Sequence, residues 1–367
     1  MNLLIVSSNK GTGGVAQSTE DLTNSLNSYE HITASSYYIS TGITNFFRSI
    51  KNLYSHRGKY DITILMHFKP ILLGVILSII SHQKNIYVIH TDLFGYYQKS
   101  SFIKKIIVKF MTFFIRKQCV VFVSKDSENR AKKFFKLKNT QTIYNIMNDI
   151  KTSGVTPLNQ KTTFTLGIVS RLNESKNIDL LIKAFDLCTI NIENIDIRLN
   201  IYGDGPEKDN IKKYIKNFQS HNKIKLFGYT DNKTTIYESI DALASFSSIE
   251  GLPLVILEAL SYKIPVIHTD CNCGPREILL PNPSDLITNA ELYIQTKYGF
   301  LIKEIQDNHK YYNLETTQQD LKYSHALSEF IKYFYKKPPE NYDPILFSQS
   351  YVTKQWDNCL QSALLEK

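Results

Sequence analysis

The chain has 367 residues, 43% hydrophobic and 21% charged. That is the composition of a soluble α/β protein, long enough for two domains with separate cores, and it argues against a disordered chain. Net charge is +9 and unevenly spread: residues 1–150 hold 19 Lys and Arg against 8 Asp and Glu, whereas residues 151–367 hold 24 against 26. No helix-turn-helix, RNA-recognition or zinc pattern accompanies the basic half, so nucleic acid is not expected as a partner. The longest apolar run, ILLGVILSII at 71–80, falls short of a bilayer-spanning helix. Five scattered Cys, an odd number, suit a reducing compartment, and MNLLIVSS reads as a strand entered at once, with no signal peptide. The expected location is cytoplasmic.

In chain order, short apolar β-branched runs alternate with helical periodicity. NLLIVSS leads to VAQSTEDLTNSL, DITILMH to ILLGVILSII, and NIYVIHTD to a basic helix over 101–118, SFIKKIIVKFMTFFIRKQ, followed by CVVFVS and RAKKFFKLK. Lys104, Lys105, Lys109, Arg116 and Lys117 interleave there with apolar and aromatic residues. Such a helix suits an anionic membrane surface, or equally a helix packed on a sheet with its charges in water. Polar NDIKTSGVTPLNQKTT (148–163) reads as a linker. The alternation then resumes through TFTLGIVS, NIDLLIKAFDL, DIRLNIYG, PEKDNIKKYIKNF, IKLFGY, KTTIYESI, ALASFSS, LPLVILEAL and PVIHTD. Near-continuous apolar strands in βα alternation predict parallel sheets covered on both faces, here two doubly wound domains.

Ligands of doubly wound sheets sit beyond the carboxyl ends of the strands. After the first strand comes NKGTGGVAQS, where Gly11, Gly13 and Gly14 allow a tight turn and close approach of N–H groups to an anion, without a dinucleotide fingerprint. His90 follows NIYVI, a position that more often holds a structural than a catalytic histidine. Arg171 and Lys176 flank a strand-to-helix turn, fitting a diphosphate, or else two solvated cations. Glu250 and Glu258 lie before and inside the helix of LPLVILEAL, whose N-terminus offers free N–H groups. They can accept hydrogen bonds from sugar and ribose hydroxyls, or merely complement the dipole and pair with neighbours. The CxC of DCNCGPREIL lacks further Cys or His at ligand spacing and reads as a turn.

The ordered set VSRLNESKNIDLLIKAF, YGDGPEKDNIK, LFGYT, SSIEGLPLVILEAL and PVIHTD resembles the retaining nucleotide-sugar glycosyltransferases of family 4, with looser matches at GTGGVAQ, HTD and FVS. The resemblance implies a GT-B fold, two Rossmann-like domains facing a cleft: residues 1–155 on the acceptor side, 156–345 binding the nucleotide sugar, and a C-terminal helix, 346–367, returning to the first domain. It makes Glu258 the ribose ligand, Glu250 the acid on the donor-sugar hydroxyls, and Arg171 with Lys176 the diphosphate clamp. Backbone N–H groups of Leu254 and Val255 would hold the outer phosphate, Tyr229 the base, His90 the donor sugar, and Gly13 and Gly14 the phosphate and acceptor. The family's Gly-Gly-apolar-Glu text is replaced here by Ala16-Gln17 after Val15. The implied reaction is metal-free transfer, with no cofactor, of a hexose or N-acetylhexosamine from a UDP-sugar. Its acceptor is a lipid-linked saccharide or polysaccharide at the inner face of a bacterial membrane. A non-catalytic sugar-nucleotide- or glycan-binding partner subunit is the alternative. Residues 281–298 carry no assignment.

Overall fold

The computed structural model describes residues 1–8, 13–39, 42–55, 58–80, 83–147, 162–192, 195–303 and 309–365. The chain divides into two compact units: Met1–Asn148 with Asn272–Gly274 and Pro344–Lys367, and Asp149–Cys271 with Pro275–Asp343. The expected linker at 148–163 lies, up to residue 161, outside the described residues, as does Gly11.

In the first unit, β1 (Asn2–Ser8), β2 (Thr33–Ile39), β3 (Ile62–Met66), β4 (Asn85–Ile89), β5 (Cys119–Phe122) and β6 (Thr140–Thr142) form one parallel sheet in the order β2-β1-β3-β4-β5-β6. The crossovers are α1 (Gly14–Leu26), α2 (Ile43–Ser55), α3 (Phe68–Ile80), the pair α4 (Leu93–Lys99) and α5 (Phe102–Ile115), and α6 (Lys125–Phe135). Every residue of β3 is buried, as a central strand covered on both faces requires. Val6, Leu65, Tyr87 and Phe122 anchor this core.

The second unit carries β7 (Thr163–Val169), β8 (Asp196–Tyr202), β9 (Ile224–Gly228), β10 (Ala242–Ser245), β11 (Val266–Thr269), β12 (Leu286–Asn289), β13 (Tyr293–Thr296) and β14 (Gly299–Ile302) in the order β12-β13-β14-β11-β10-β7-β8-β9. Its helices are α7 (Ile178–Asn191), α8 (Lys208–Ile215), α9 (Lys233–Glu238), α10 (Leu254–Ser261), α11 (Pro275–Leu279) and α12 (Gln318–Lys336). Leu327, Phe330 and Phe334 of α12 are buried in the same core as Leu181 and Phe185 of α7. Residues 281–298, unassigned from sequence, add an antiparallel edge: β12 pairs with β13 and β13 with β14. The turn into β12 is closed by a capping box of Asn282 and Asp285.

The last helix, α13 (Gln349–Leu365), belongs to the first unit. Trp356 and Leu360 are buried, the Ser25 and Thr353 hydroxyls are hydrogen-bonded, and His31 Nε2 lies 3.1 Å from Asp357 Oδ1. Lys84 Nζ donates to the carbonyls of Ala363 (3.1 Å) and Leu364 (2.7 Å), which have no helical partner of their own.

Candidate active site

In the second unit the candidate residues gather at the carboxyl ends of the strands. Beyond β7, Leu172 N donates to Asp204 O (3.0 Å) and Glu207 N to Leu172 O (3.0 Å), so the turn bearing Arg171 is seated on the turn after β8. Glycine makes that contact possible. At Gly203, φ is +141° and a Cβ would lie 1.8 Å from Ser170 O; at Gly205 a Cβ would lie 2.2 Å from Leu172 O. Among the described residues the exposed Arg171 side chain makes no hydrogen bond or ion pair.

The next step in the chain is a single 3-10 turn, Glu174–Lys176, ended by Asn177 at φ 45°, a left-handed position that asparagine tolerates. Asn177 Nδ2 donates to Phe246 O (2.8 Å), and Ser248 N donates to Ser175 O (2.9 Å). These bonds fasten the turn after β7 to the loop after β10. They bring Lys176 Nζ to 2.5 Å from Glu250 Oε1, with the two side chains only 21% and 13% exposed. Burial pushes the Glu250 carboxyl up, but Lys176, His268 and a Ser247 hydrogen bond outweigh it and hold Glu250 below the ordinary carboxylate range.

His268, at the end of β11, is fully buried. Its Nδ1–H donates to Thr269 O (2.7 Å), which leaves Nε2 as the lone-pair nitrogen. That nitrogen is buried without a hydrogen-bond partner among the described residues. Burial lowers the His268 pKa, with Glu250 opposing. Glu258, one and a half turns into α10, accepts from Tyr237 OH (2.7 Å) and pairs with Lys233 Nζ (2.8 Å). Tyr237 is itself fixed by stacking on Tyr262, ring centroids 5.1 Å apart. The first-turn N–H groups of α10, at Leu254 and Val255, have no carbonyl one turn back to bond to. Tyr229 follows β9 on the same sheet edge and is 56% exposed. Arg171, Lys176, Glu250, Leu254, Val255, Glu258 and Tyr229 thus all belong to this unit's strand-end edge.

The remaining candidates lie in the first unit. Gly13 is the residue before α1, at φ 90°, where a side chain is strained whatever the space around it. His90 follows β4 and has a buried Nε2 without a hydrogen-bond partner among the described residues. Burial, with a smaller contribution from His67, lowers its pKa to about 3. His67 follows β3 at φ 74° and is lowered to about 4 by burial. On α5, the charged residues share the surface with seven exposed apolar ones: Phe102, Ile103, Ile106, Ile107, Phe110, Phe113 and Phe114. Phe102 is 78% exposed. Arg116 stands 4.7 Å from the Phe113 ring, and Lys105 and Lys109 lie 5.7 and 5.8 Å from that of Tyr97. Packing with only charge facing water therefore does not describe this helix.

Cys271 and Cys273 are buried in the turn between β11 and α11. Among the described residues, no three His, Cys, Asp or Glu side chains gather as a metal site, and no helix is long and apolar enough to cross a membrane.

Residues 151–296 match the family model of glycosyl transferases group 1. An uncharacterised glycosyltransferase of Methanocaldococcus jannaschii is 31% identical over 261 residues, covering 68% of this chain and 62% of that protein. The N-acetylgalactosamine-N,N'-diacetylbacillosaminyl-diphospho-undecaprenol 4-alpha-N-acetylgalactosaminyltransferase of Campylobacter jejuni is 28% identical over 186 residues, covering 50% of this chain and 45% of that one. The chain thus spans less than two thirds of the length of these relatives. In fold it is similar to HepE of Anabaena, solved with UDP and glucose, at a TM-score of 0.69, 18% identity and 98% and 99% coverage of the two chains. The architecture is GT-B: two Rossmann-like α/β units built on parallel sheets.

Four side chains of the candidate site escaped the sequence reading. His268 is the next-to-last residue of β11, in PVIHTD, the same VIHTD text that carries His90, so the pattern that singled out His90 would have found it. Lys233 and Tyr237, which hold Glu258, and Asn177, which holds the Lys176 turn, have no local signal, because their partners are 25, 21 and 69 positions away.

Proposed function

We propose that the chain is a glycosyltransferase that moves a hexose or N-acetylhexosamine from a UDP-sugar to a lipid-linked saccharide or polysaccharide acceptor in bacterial cell-surface glycan synthesis. The observation that carries this reading is the Lys176–Glu250 pair standing with exposed Arg171 at the strand ends of the unit that matches the glycosyl transferase model. Two cations and the N-terminus of α10 suit a diphosphate, the first bound as a fork by Arg171 and as a point charge by Lys176. Glu258, oriented by its pairing with Lys233, accepts from ribose hydroxyls. Glu250 accepts from hydroxyls of the transferred sugar, while Tyr229 lies against the base.

Transfer with retention follows when the departing phosphate oxygen takes the acceptor's proton on the same face of the sugar. The developing diphosphate charge is met by Arg171, Lys176 and the helix N-terminus, so neither a metal nor a strong base is needed. The diphospho-undecaprenol acceptor in the name of the Campylobacter relative supports a lipid-linked acceptor here. The exposed cations and apolar side chains of α5 support a peripheral seat on an anionic membrane, with the protein cytoplasmic.

A thermal-shift series with UDP-glucose, UDP-galactose and their N-acetylated counterparts, in excess EDTA, tests the donor site. One or more of these raises Tm in the wild type, and the rise shrinks in Arg171→Ala. A shift that appears only with divalent metal contradicts the metal-free scheme.

A further inference from the structure

Between α3, α4 and α5 the first unit has an apolar hollow of about 170 Å³, open to solvent on one side. Its lining includes Val108 and Met111, each 2% exposed, with Leu72, Tyr96 and Ile107. The Phe68 and Tyr96 rings meet on one side, tilted, with centroids 4.5 Å apart. Lys69 of α3 and Lys104 of α5 line it as well, and both are exposed. No carboxylate lines the cavity, and residues 101–118 contain no acidic residue.

An open apolar hollow leaves its lining facing water, so an apolar guest gains by removing that surface, and its own, from solvent. A plain hydrophobe leaves the two lysines unused. Two cations with no acid between them favour a guest that is apolar along its length and anionic at its end. We infer that this cavity binds the head-proximal part of the hydrocarbon chain of a phosphate-bearing lipid, with Lys69 and Lys104 on the phosphate. The inference rests on the reading of the acceptor as lipid-linked and goes beyond membrane contact. It gives the acceptor's tail a site of its own, apart from the outward face of α5 formed by Phe102, Ile103 and Ile106.

The test uses dodecyl phosphate below its micelle concentration, titrated calorimetrically into the full chain, with inorganic phosphate and dodecyl maltoside as controls. The expected result is a single saturable site for dodecyl phosphate and none for inorganic phosphate. Leu72→Trp, which fills the hollow from α3 and leaves the sequence of α5 unchanged, weakens binding tenfold or more. Lys69→Glu weakens dodecyl phosphate but not dodecyl maltoside. Photolabelling of the wild type with a diazirine-bearing dodecyl phosphate needs no variant and places the label on α3 and α5. Label confined to other elements overturns the proposal, as does an unchanged affinity in a folded Leu72→Trp. So does a concentration-dependent dimer that Leu72→Trp dissolves and dodecyl phosphate does not, because the cavity is then an interface between copies. Sedimentation with phosphatidylglycerol vesicles separates the two readings. Vesicle binding without probe binding sinks this proposal alone, and probe binding without vesicle binding sinks the membrane reading alone.

Discussion

Lys176 is at once a ligand for the proposed diphosphate and the counter-ion of Glu250, so its removal has a second consequence that removal of Arg171 lacks. Lys176→Met strands a largely buried carboxylate, a loss of about 3 kcal/mol in the range known for broken buried pairs. A folded-state melt shows it as a lowered Tm, and Lys176→Met combined with Glu250→Gln recovers part of it. Arg171→Ala is expected to change stability by no more than about 0.5 kcal/mol, as for other exposed sites, while weakening UDP binding. Equal melting of the two single variants contradicts this division. Gly203→Ala is expected to lower both Tm and UDP affinity, since its Cβ displaces Ser170 and with it the turn of Arg171. An unaltered Tm shows that the turn gives way freely. The strand-end rule made Arg171, Lys176 and Glu250 candidates from sequence because each follows a strand or precedes a helix, whereas Glu258, inside α10, stood out only as a carboxylate in an apolar run eight positions after Glu250. What those side chains touch was not legible, since that depends on which loops the fold brings together.

Among the elements, α5 departs furthest from a simple amphipathic helix, because its cations and its exposed apolar residues share one surface. Charge alone predicts release from anionic vesicles by salt, as each Lys or Arg contributes ~1 kcal/mol and is screened within a Debye length. With Phe102, Ile103 and Ile106 also entering the interface, a salt-resistant fraction remains. Charge reversal at Lys104, Lys105 and Lys109 is expected to lower vesicle sedimentation at low salt. Ser at Phe102, Ile103 and Ile106 is expected to remove the salt-resistant fraction, and neither set alters UDP affinity. Indifference of sedimentation to both sets rules out α5 as the contact. The periodicity of α5 was readable; the exposure of its apolar face was not, because a sequence does not say which apolar stripe finds a partner. The β12–β13 edge was likewise hidden. Its strands are four residues each, and β12 is exposed throughout, so the alternation that marks a half-buried strand is missing.

At the scale of the whole molecule, the alternation of βα units was enough to predict two doubly wound units, because strands buried on both faces write themselves as continuous apolar runs. The buried histidines add a pH dependence that the sequence does not announce. Unfolded histidine binds its proton near 6.5, whereas His67 binds only near 4 and His90 near 3 in the fold. The unfolded chain therefore carries more protons as pH falls below 6.5, and stability falls with it. His67 alone accounts for up to about 3 kcal/mol by pH 4. Urea midpoints measured from pH 7 to pH 4 are expected to fall less steeply in His67→Gln and His90→Gln than in the wild type. Parallel slopes show that neither ring is kept neutral by the fold.

The central claim is that the second unit holds a UDP-sugar and the chain transfers its sugar without metal. The most direct measurement is the passage of radiolabel from a panel of UDP-sugars into a bacterial lipid-linked saccharide fraction, in the presence of EDTA. The account predicts labelled lipid from at least one donor, with a rate that Glu250→Gln and Arg171→Ala each lower on the order of 100-fold, as for lost transition-state partners. No labelled product from any donor, or product formed only when divalent metal is restored, contradicts it.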